Sequence, residues 1–150
     1  MSITQSKERY GSYSEIYSRI LKDLSKKISV IDLGCGLNGF SYNYFKELDF
    51  KVDYSGVESI GQFVKSTNDF FKKEKITAKI YHESLLNLEK IKKIIGKTKK
   101  PRVVFLFKVV DALESFEKNY TKKFLKEIVP SAERVVISFP TESWVRRKKF

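Results

Sequence analysis

The sequence has little cysteine and little histidine, with one of each among its 150 residues. A single cysteine excludes an internal disulfide, and one histidine leaves few ligands for a transition metal, so we expect no metal site. No apolar run approaches the ~20 residues that span a bilayer, and segment 1–5 lacks the charged start and apolar stretch of a secretory signal. These absences predict a protein of the reducing cytoplasm with no membrane partner.

What is present is typical of a globular protein. Hydrophobic residues make up 41% of the chain and charged residues 32%, a balance that excludes an intrinsically disordered chain. A chain of this length buries a sizeable core. No internal repeat or low-complexity linker divides it, so we predict a single domain over 1–150, with an N-terminal helical extension at 1–28 and a basic tail at 141–150.

The formal charge is +12, and it is unevenly distributed. Residues 1–75 hold 12 lysines and arginines against 10 acids, a net of +2, whereas residues 76–150 hold 18 against 8, a net of +10. Such asymmetry favours a polyanionic partner, nucleic acid above all, on the C-terminal side. The alternative is a lysine-rich solvated surface without a partner.

Glycine is sparse, with seven residues in the chain, and three of them stand close together. An apolar run ends in Asp32, and Gly34, Gly36 and Gly39 follow it at the spacing G-x-G-x-x-G. This spacing is typical of a buried parallel strand that turns sharply into a helix and leaves backbone exposed to a ligand. Nicotinamide-dinucleotide folds and S-adenosylmethionine (SAM) folds both use it, so other residues must distinguish them.

Apolar runs and helical periodicity alternate along the whole chain. The predicted strands are 29–33, 52–57, 76–81, 103–107 and 134–139, and the predicted helices are 14–27, 40–48, 60–73, 86–95 and 115–129. Such alternation predicts an α/β fold, with a parallel sheet in strand order 3-2-1-4-5 and helices on both faces. Ligands of such sheets bind beyond the C-terminal ends of the strands.

Two acids distinguish the possible ligands. Glu58 ends the second predicted strand, where a carboxylate accepts hydrogen bonds from the ribose hydroxyls of either cofactor. Asp32 stands two residues before the first glycine, where a carboxylate repels a pyrophosphate but attracts the cationic amino group and sulfonium of SAM. The pattern therefore favours SAM, and the chain has no second mononucleotide-binding half. The alternative role for Asp32 is a turn or helix cap.

Three stretches together resemble a known family. The stretch 32–39 resembles motif I of the class I SAM-dependent methyltransferases, and with its Leu37-Asn38 it is similar to the small-subunit ribosomal RNA guanine-N7 methyltransferases of the aminoglycoside-resistance type. The stretch 105–114, an apolar run followed by Lys and then Leu-Glu, is similar to that family's strand-four segment. The stretch 136–143, with an arginine and a lysine behind it, resembles its Ser-Phe-Pro-Thr-x-Ser segment.

The resemblance implies a Rossmann-like class I methyltransferase sheet and an enzyme that transfers a methyl group from SAM to ribosomal RNA. Ser84 stands where the family has the aspartate that meets the adenine amino group, so Ser84 or Glu83 would take that bond. The side chain of Cys35 would be a small filler within the turn. The cofactor-binding positions would be Asp32, Gly34, Cys35, Gly36, Glu58, Ser84, Leu85 and Phe107.

Guanine N7 has a free lone pair at neutral pH, so methyl transfer to it needs positioning and charge but no general base. Lys108, at the end of the fourth strand, would hold a phosphate or the guanine O6. Glu114 would orient the same loop or cap the following helix, and we assign both residues to catalysis through positioning. The RNA-binding residues would be Lys108, Arg146, Arg147, Lys148 and Lys149. A solvated lysine and a charged terminus are the alternatives.

The chain departs from the family at both ends. Fewer than thirty residues precede the cofactor fold, where the family has a helical domain that helps to dock the ribosome. Class I methyltransferases add two strands after the fifth, and here the chain stops at Phe150. We therefore expect either a piece of a longer protein or a partner, such as a second copy in a homodimer, that covers the edge of strand 134–139. The alternative functions are a methyltransferase of small molecules or proteins and a non-catalytic RNA-binding subunit.

Overall fold

Five parallel strands form one sheet in the computed structural model, which describes residues 13–139. The strands are β1 (Lys27–Leu33), β2 (Lys51–Glu58), β3 (Lys79–His82), β4 (Arg102–Phe107) and β5 (Arg134–Ser138). Their order in the sheet is β3-β2-β1-β4-β5, which confirms the predicted order. β1 is the central strand in this order, and its residues after Lys27 are all buried, so both faces of this strand are covered.

Six helices connect and cover the strands. They are α1 (Tyr13–Ile20), α2 (Asn43–Glu47), α3 (Gly61–Lys73), α4 (Leu88–Gly96), α5 (Val110–Phe116) and α6 (Tyr120–Ile128), with short 3-10 turns at Asn38–Ser41 and Val129–Ser131. The predicted helix 40–48 is thus a 3-10 turn followed by the short α2. The predicted helix 14–27 is correct at its start, but α1 ends at Ile20, and the left-handed backbone of Asp23, with φ of 67°, separates it from β1.

The two faces of the sheet have different cores. One face packs against α1, α2 and α3 and is rich in aromatic rings, and we call it the aromatic face; its rings are Tyr17, Tyr42, Phe45, Phe50, Tyr54, Phe71 and Phe105. The other face packs against α4, α5 and α6 and is mostly aliphatic, with Ile31, Leu33, Val104 and Ile137 from the strands. The predicted placement of helices on both faces is therefore confirmed.

The predicted single helix 115–129 is wrong. The chain leaves α5 after Phe116, because Glu117 has an extended backbone and Asn119 is left-handed with φ of 67°. Asparagine is among the few residues that adopt this conformation readily. The break leaves Phe116 outside the core, with 48% of the residue exposed.

β3 is an edge strand and starts three residues later than predicted. The side-chain amide of Asn68 on α3 binds both backbone groups of Ile80: Nδ2 donates to the carbonyl at 3.0 Å, and Oδ1 accepts from the N–H at 2.9 Å. One side chain thus satisfies the backbone groups that a sixth strand would otherwise pair.

Segments 1–12 and 140–150 lie outside the described residues. The predicted tail 141–150, with the four cations Arg146 to Lys149, is therefore not located by the structure. Within residues 13–139, no helix is long and apolar enough to cross a membrane. The same residues contain no group of three histidine, cysteine or acidic side chains placed to hold a metal ion.

Candidate cofactor site

The glycine loop joins β1 to the 3-10 turn and is attached to the end of β2. The N–H groups of Gly34 and Cys35 both donate to the Val57 carbonyl, at 2.8 and 3.0 Å. Gly34 and Gly36 have φ of 69° and 53°, in the left-handed region that favours glycine. A Cβ at Gly34 would lie 2.6 Å from the Val109 side chain, whereas a Cβ at Gly36 would point into open space. Gly34 is thus required for packing, and Gly36 leaves exposed backbone that a ligand can approach.

Glu58 connects this loop to the next one. Its Oε1 accepts from the Gly36 N–H and its Oε2 from the Ile60 N–H, each at 2.8 Å. The side chain is nearly buried, with 8% of the residue exposed. Each carboxylate oxygen has a second lone pair, so ribose hydroxyls can donate to Glu58 while both backbone bonds persist.

Asp32 lies beneath the loop, on the aromatic face, and is fully buried. The Tyr54 hydroxyl donates to its Oδ2 at 2.7 Å, and Oδ1 has no partner in good hydrogen-bond geometry among residues 13–139, although the Asn38 side chain lies nearby. Burial raises the pKa of Asp32 from an ordinary 3.8 to about 7. The charge of Glu58 adds to this rise in pKa, while Tyr54 and the nearby Asn38 side chain oppose it. An unpartnered buried carboxylate oxygen is costly unless a donor or a cation meets it.

α1 supports the same loop from the aromatic face. The Ser41 hydroxyl donates to the Asn38 carbonyl at 2.6 Å, and the Tyr17 hydroxyl lies 2.7 Å from the Ser41 oxygen. Because Ser41 has only one hydroxyl proton, Tyr17 is the donor in the second bond. A residue of α1 therefore helps to fix the turn that follows the glycines.

A pocket of about 180 Å³ opens beside the loop at the C-terminal edge of the sheet. It brings together four of the predicted cofactor residues, Gly34, Glu58, Ser84 and Leu85. Its other lining residues are Val57, Ser59, Glu83, Val109, Ala112 and Phe116. Its volume is below the roughly 300–1,000 Å³ of whole-ligand pockets, so it suits one part of a SAM-sized molecule.

The loop after β3 forms one wall of this pocket. The Glu83 carboxylate accepts from the Ser84 N–H and from the Asn87 amide, both at 3.2 Å. The Ser84 N–H bond is the main reason that the pKa of Glu83 lies below its ordinary value, and Lys90 also lowers it. The Tyr120 hydroxyl donates to the Leu85 carbonyl at 2.9 Å and holds the loop against α6. Glu83 and Ser84 therefore both present an acceptor to a ligand amino group here.

Four predicted cofactor residues, Asp32, Cys35, Gly36 and Phe107, are not among the residues that line this pocket. The Cys35 side chain is buried against the aromatic face, where desolvation raises the pKa of its thiol. It acts as the expected small filler, and a Cβ at Gly56 would lie 2.8 Å from its sulfur. The ring of Phe107 stacks on Phe105, with 4.5 Å between ring centres, and packs against the aromatic face.

Lys108 and Glu114 have different surroundings. Lys108 is exposed and left-handed, with φ of 58°, and its N–H donates to the Ser138 carbonyl at 3.1 Å. This conformation is uncommon for a lysine, and within residues 13–139 four other non-glycine residues share it, among them Lys75 just after α3. Glu114 accepts from the N–H groups of Asn119 and Thr121, at 2.9 and 2.8 Å, which lowers the pKa of its carboxyl. Of its two predicted roles, Glu114 performs the cap, on the first turn of α6.

The sequence did not identify Phe116, Val109 and Ala112 as pocket residues. In a helix that continued to 129, Phe116 would share the spacing of the core residues, and only the break at Asn119 exposes it. Asn119 is the residue in the sequence that could have indicated this break, because asparagine adopts a left-handed backbone more readily than most residues. Val109 and Ala112 follow Lys108 in the same connection, but nothing in their residue type marks them as ligand contacts.

No family model matches the sequence. The chain is 26% identical over 160 residues to the 16S rRNA (guanine(1405)-N(7))-methyltransferase of Proteus mirabilis, a match that covers 89% of this chain and 57% of that protein. The chain thus spans little more than half the length of the curated relative that it matches.

Solved structures show a similar fold. The 16S rRNA methylase RmtB has a TM-score of 0.63 at 16% identity, over 94% of this chain and 53% of that one. An rRNA methylase from Escherichia coli has a TM-score of 0.62 at 16% identity, over 89% of this chain and 50% of that one. The 16S rRNA methylase ArmA has a TM-score of 0.57 at 21% identity, over 85% of this chain and 59% of that one. The chain therefore has the Rossmann-like class I methyltransferase fold, and it resembles the 16S rRNA guanine-N7 methyltransferases of the aminoglycoside-resistance type.

Proposed function

We propose that this chain is a SAM-dependent methyltransferase domain that methylates guanine N7 in small-subunit ribosomal RNA. The observation that carries the proposal is the pair of carboxylates at the glycine loop, with Glu58 beside Gly36 and Asp32 buried beneath it. Two carboxylates disfavour a pyrophosphate and favour a cationic ligand. The likeness to the N7-methyltransferase of Proteus mirabilis supports RNA as the methyl acceptor.

The residues at the loop fit SAM. The unpartnered Oδ1 of Asp32 complements the cationic amino group, and Glu58 offers lone pairs to the ribose hydroxyls. Gly36 leaves room for close approach of the ligand, and Glu83 or Ser84 accepts from the adenine amino group. When bound, SAM supplies a methyl group on a sulfonium, an electrophile that needs no activation by an acid.

The chain's remaining task is to position the acceptor. Guanine N7 presents a lone pair at neutral pH, so no general base is required. We assign Lys108 to a phosphate or to the guanine O6, because it follows β4 at the ligand-binding edge and precedes Val109 in the pocket wall. Glu114 acts through the α5–α6 connection as a positioning residue. The tail cations 146–149, outside the described residues, are proposed to contact further phosphates.

The direct test is transfer of radiolabel from SAM to small ribosomal subunits, followed by mapping of the modified base. We expect label at a guanine N7 with the wild-type chain and none with Asp32→Ala. Calorimetry that detects no heat with SAM or with S-adenosylhomocysteine would overturn the cofactor assignment. Label recovered in a small molecule or a protein, with none in RNA, would identify a methyltransferase of another class. SAM-independent RNA binding without transfer would identify a non-catalytic subunit.

We also propose a cytoplasmic location and a homodimer. A protein acting on the small ribosomal subunit works in the cytoplasm. Among the described strands, β5 pairs with β4 alone, which leaves one edge of β5 for a second copy. Sedimentation equilibrium tests the dimer: we expect twice the chain mass of 17.5 kDa, and the single-chain mass at micromolar concentration would contradict it.

A further inference from the structure

A groove of about 680 Å³ lies at the amino-terminal edge of the sheet, away from the glycine loop. Its floor is formed by four buried residues: Ile28 of β1, Val52 of β2, Phe50 just before β2 and Tyr42 just before α2. Its far wall is the loop Lys99 to Pro101 that leads into β4. This groove has no part in the cofactor site, which occupies the opposite ends of the same strands.

The groove is strongly basic. Five exposed lysines line it, Lys27, Lys46, Lys51, Lys99 and Lys100, against a single acid, Asp53. The three ion pairs within residues 13–139 involve other lysines, on α3 and α4. The five cations of the groove therefore have no carboxylate within ion-pair distance in the described part of the chain.

Two of these lysines stand side by side in the sheet. Lys27 of β1 and Lys51 of β2 are register partners, and neighbouring strands lie about 4.8 Å apart. Like charges in adjacent positions repel, so this pair opposes folding unless an anion lies between them. Aromatic rings hold two further ammonium groups nearby: Lys26 Nζ lies 4.2 Å from the centre of the Phe50 ring, and Lys46 Nζ lies 5.8 Å from that of Tyr42.

The positive charge continues around the edge of the sheet. A smaller cavity of about 230 Å³ shares Asp53 and Thr77 with the groove. Lys79 and Lys97 line it, and their ammonium groups lie 4.5 and 5.9 Å from the centre of the Tyr81 ring. The two cavities thus form one basic track of seven lysines and one aspartate, which we call the lysine track.

We propose that the lysine track binds the phosphate backbone of the same RNA that is methylated at the opposite edge, and the proposal rests on the proposed function. A chain of phosphates complements seven cations along a bent path better than a single anion does. The concave floor excludes a flat lipid surface from its deepest part. β1 has seven residues at ~3.3 Å each, so the two edges are about 23 Å apart. A folded RNA spans that distance and is held at two places.

The test compares two double variants with equal loss of charge. Lys51→Gln with Lys100→Gln removes one cation from each wall of the track, and Lys122→Gln with Lys126→Gln removes two exposed cations from α6. Affinity for fluorescein-labelled 16S ribosomal RNA is measured by anisotropy from 50 to 200 mM salt. We expect the track variant to bind about 10–100-fold more weakly at 50 mM salt, with a log–log salt slope shallower by about 1.5. The α6 variant keeps the wild-type affinity and slope.

Four further measurements make the outcomes decisive: thermal unfolding, calorimetry, vesicle binding and methyl transfer. The track variant should match the wild type in thermal unfolding and in calorimetry with S-adenosylhomocysteine, which shows that its fold and its cofactor site are intact. If Lys51→Gln with Lys100→Gln does not fold, the double variant Lys27→Gln with Lys46→Gln replaces it. An unchanged RNA affinity and salt slope in the folded track variant would overturn the proposal. The proposal would also be overturned if the folded track variant lost binding to phosphatidylserine vesicles but kept its binding to RNA. If the wild type transfers no methyl group but the track variant loses RNA affinity, the proposed function fails and the track stands.

Discussion

Replacing Asp32 by asparagine should make the cofactor-free protein more stable at high pH. The substitution keeps an oxygen for the Tyr54 hydroxyl, which donates to Oδ2 at 2.7 Å, and removes a buried charge. Burial raises the pKa of this carboxyl from 3.8 to about 7, so the folded protein binds the proton more tightly than the unfolded chain does. The stability that the protonated carboxyl provides is complete below pH 4 and is lost as the pH rises to 7.

The expected size follows from the pKa. About two pH units of that titration lie between pH 5 and pH 7, and each is worth ~1.4 kcal/mol. The wild type should therefore lose about 2.5 kcal/mol of unfolding free energy between pH 5 and pH 8 through Asp32 alone. The Asp32→Asn variant should lose none of it. For a chain of this length the difference is roughly 5–10 °C in Tm.

The assay is thermal unfolding at pH 5, 6, 7 and 8, at constant ionic strength and without cofactor. The variant's Tm should rise relative to the wild type across this range, and Asp53→Asn, which removes an exposed carboxylate of β2, provides the control. Calorimetry should show that Asp32→Asn no longer binds SAM. In the wild type at pH 6, binding should release close to one proton, measured by comparing two buffers. A Tm difference that stays constant from pH 5 to pH 8 would refute the reasoning.

Four other substitutions test the site. Gly34→Ala should lower the Tm strongly because its Cβ would lie 2.6 Å from the Val109 side chain. Gly36→Ala should lower the free energy of unfolding by only about 1 kcal/mol, yet calorimetry should show that it no longer binds SAM. Equal Tm values for the two variants would contradict this contrast. Lys108→Gly relieves a left-handed lysine, so its Tm should not fall while methyl transfer to RNA is lost; retained transfer would remove Lys108 from the site. Glu114→Ala should accelerate hydrogen exchange at the start of α6, because it removes two acceptors; unchanged exchange would exclude the cap.

The strand order and the glycine loop could be predicted because both depend on local patterns. Continuous apolar runs marked buried parallel strands, and the alternation with helices left few possible topologies. Asp32 and Glu58 were recognisable from their distance to the glycines. Their hydrogen bonds were not, because the partners, such as Tyr54 and Ile60, become neighbours only through the register of β1 and β2 or the turn after β2.

The lysine track shows why charge counts along the chain mislead. The first half of the sequence has a net charge of only +2, and this hid three of the groove's cations, Lys27, Lys46 and Lys51. The two others, Lys99 and Lys100, come from the loop before β4. The strand register, α2 and the loop before β4 together bring all five to one edge, where Asp53 is the single acid of the groove.

The unequal distribution of rings between the two faces of the sheet gives the aromatic face an optical signal of its own. Three buried tyrosines, Tyr17, Tyr42 and Tyr54, belong to the aromatic face, and Tyr120 is the buried tyrosine of the aliphatic face within residues 13–139. The near-ultraviolet circular dichroism of tyrosine therefore reports mainly on the packing of α1, α2 and α3. Far-ultraviolet dichroism reports on the backbone of both faces. Loss of the first signal before the second on heating would mean that the layer supporting Asp32 loosens while the sheet persists.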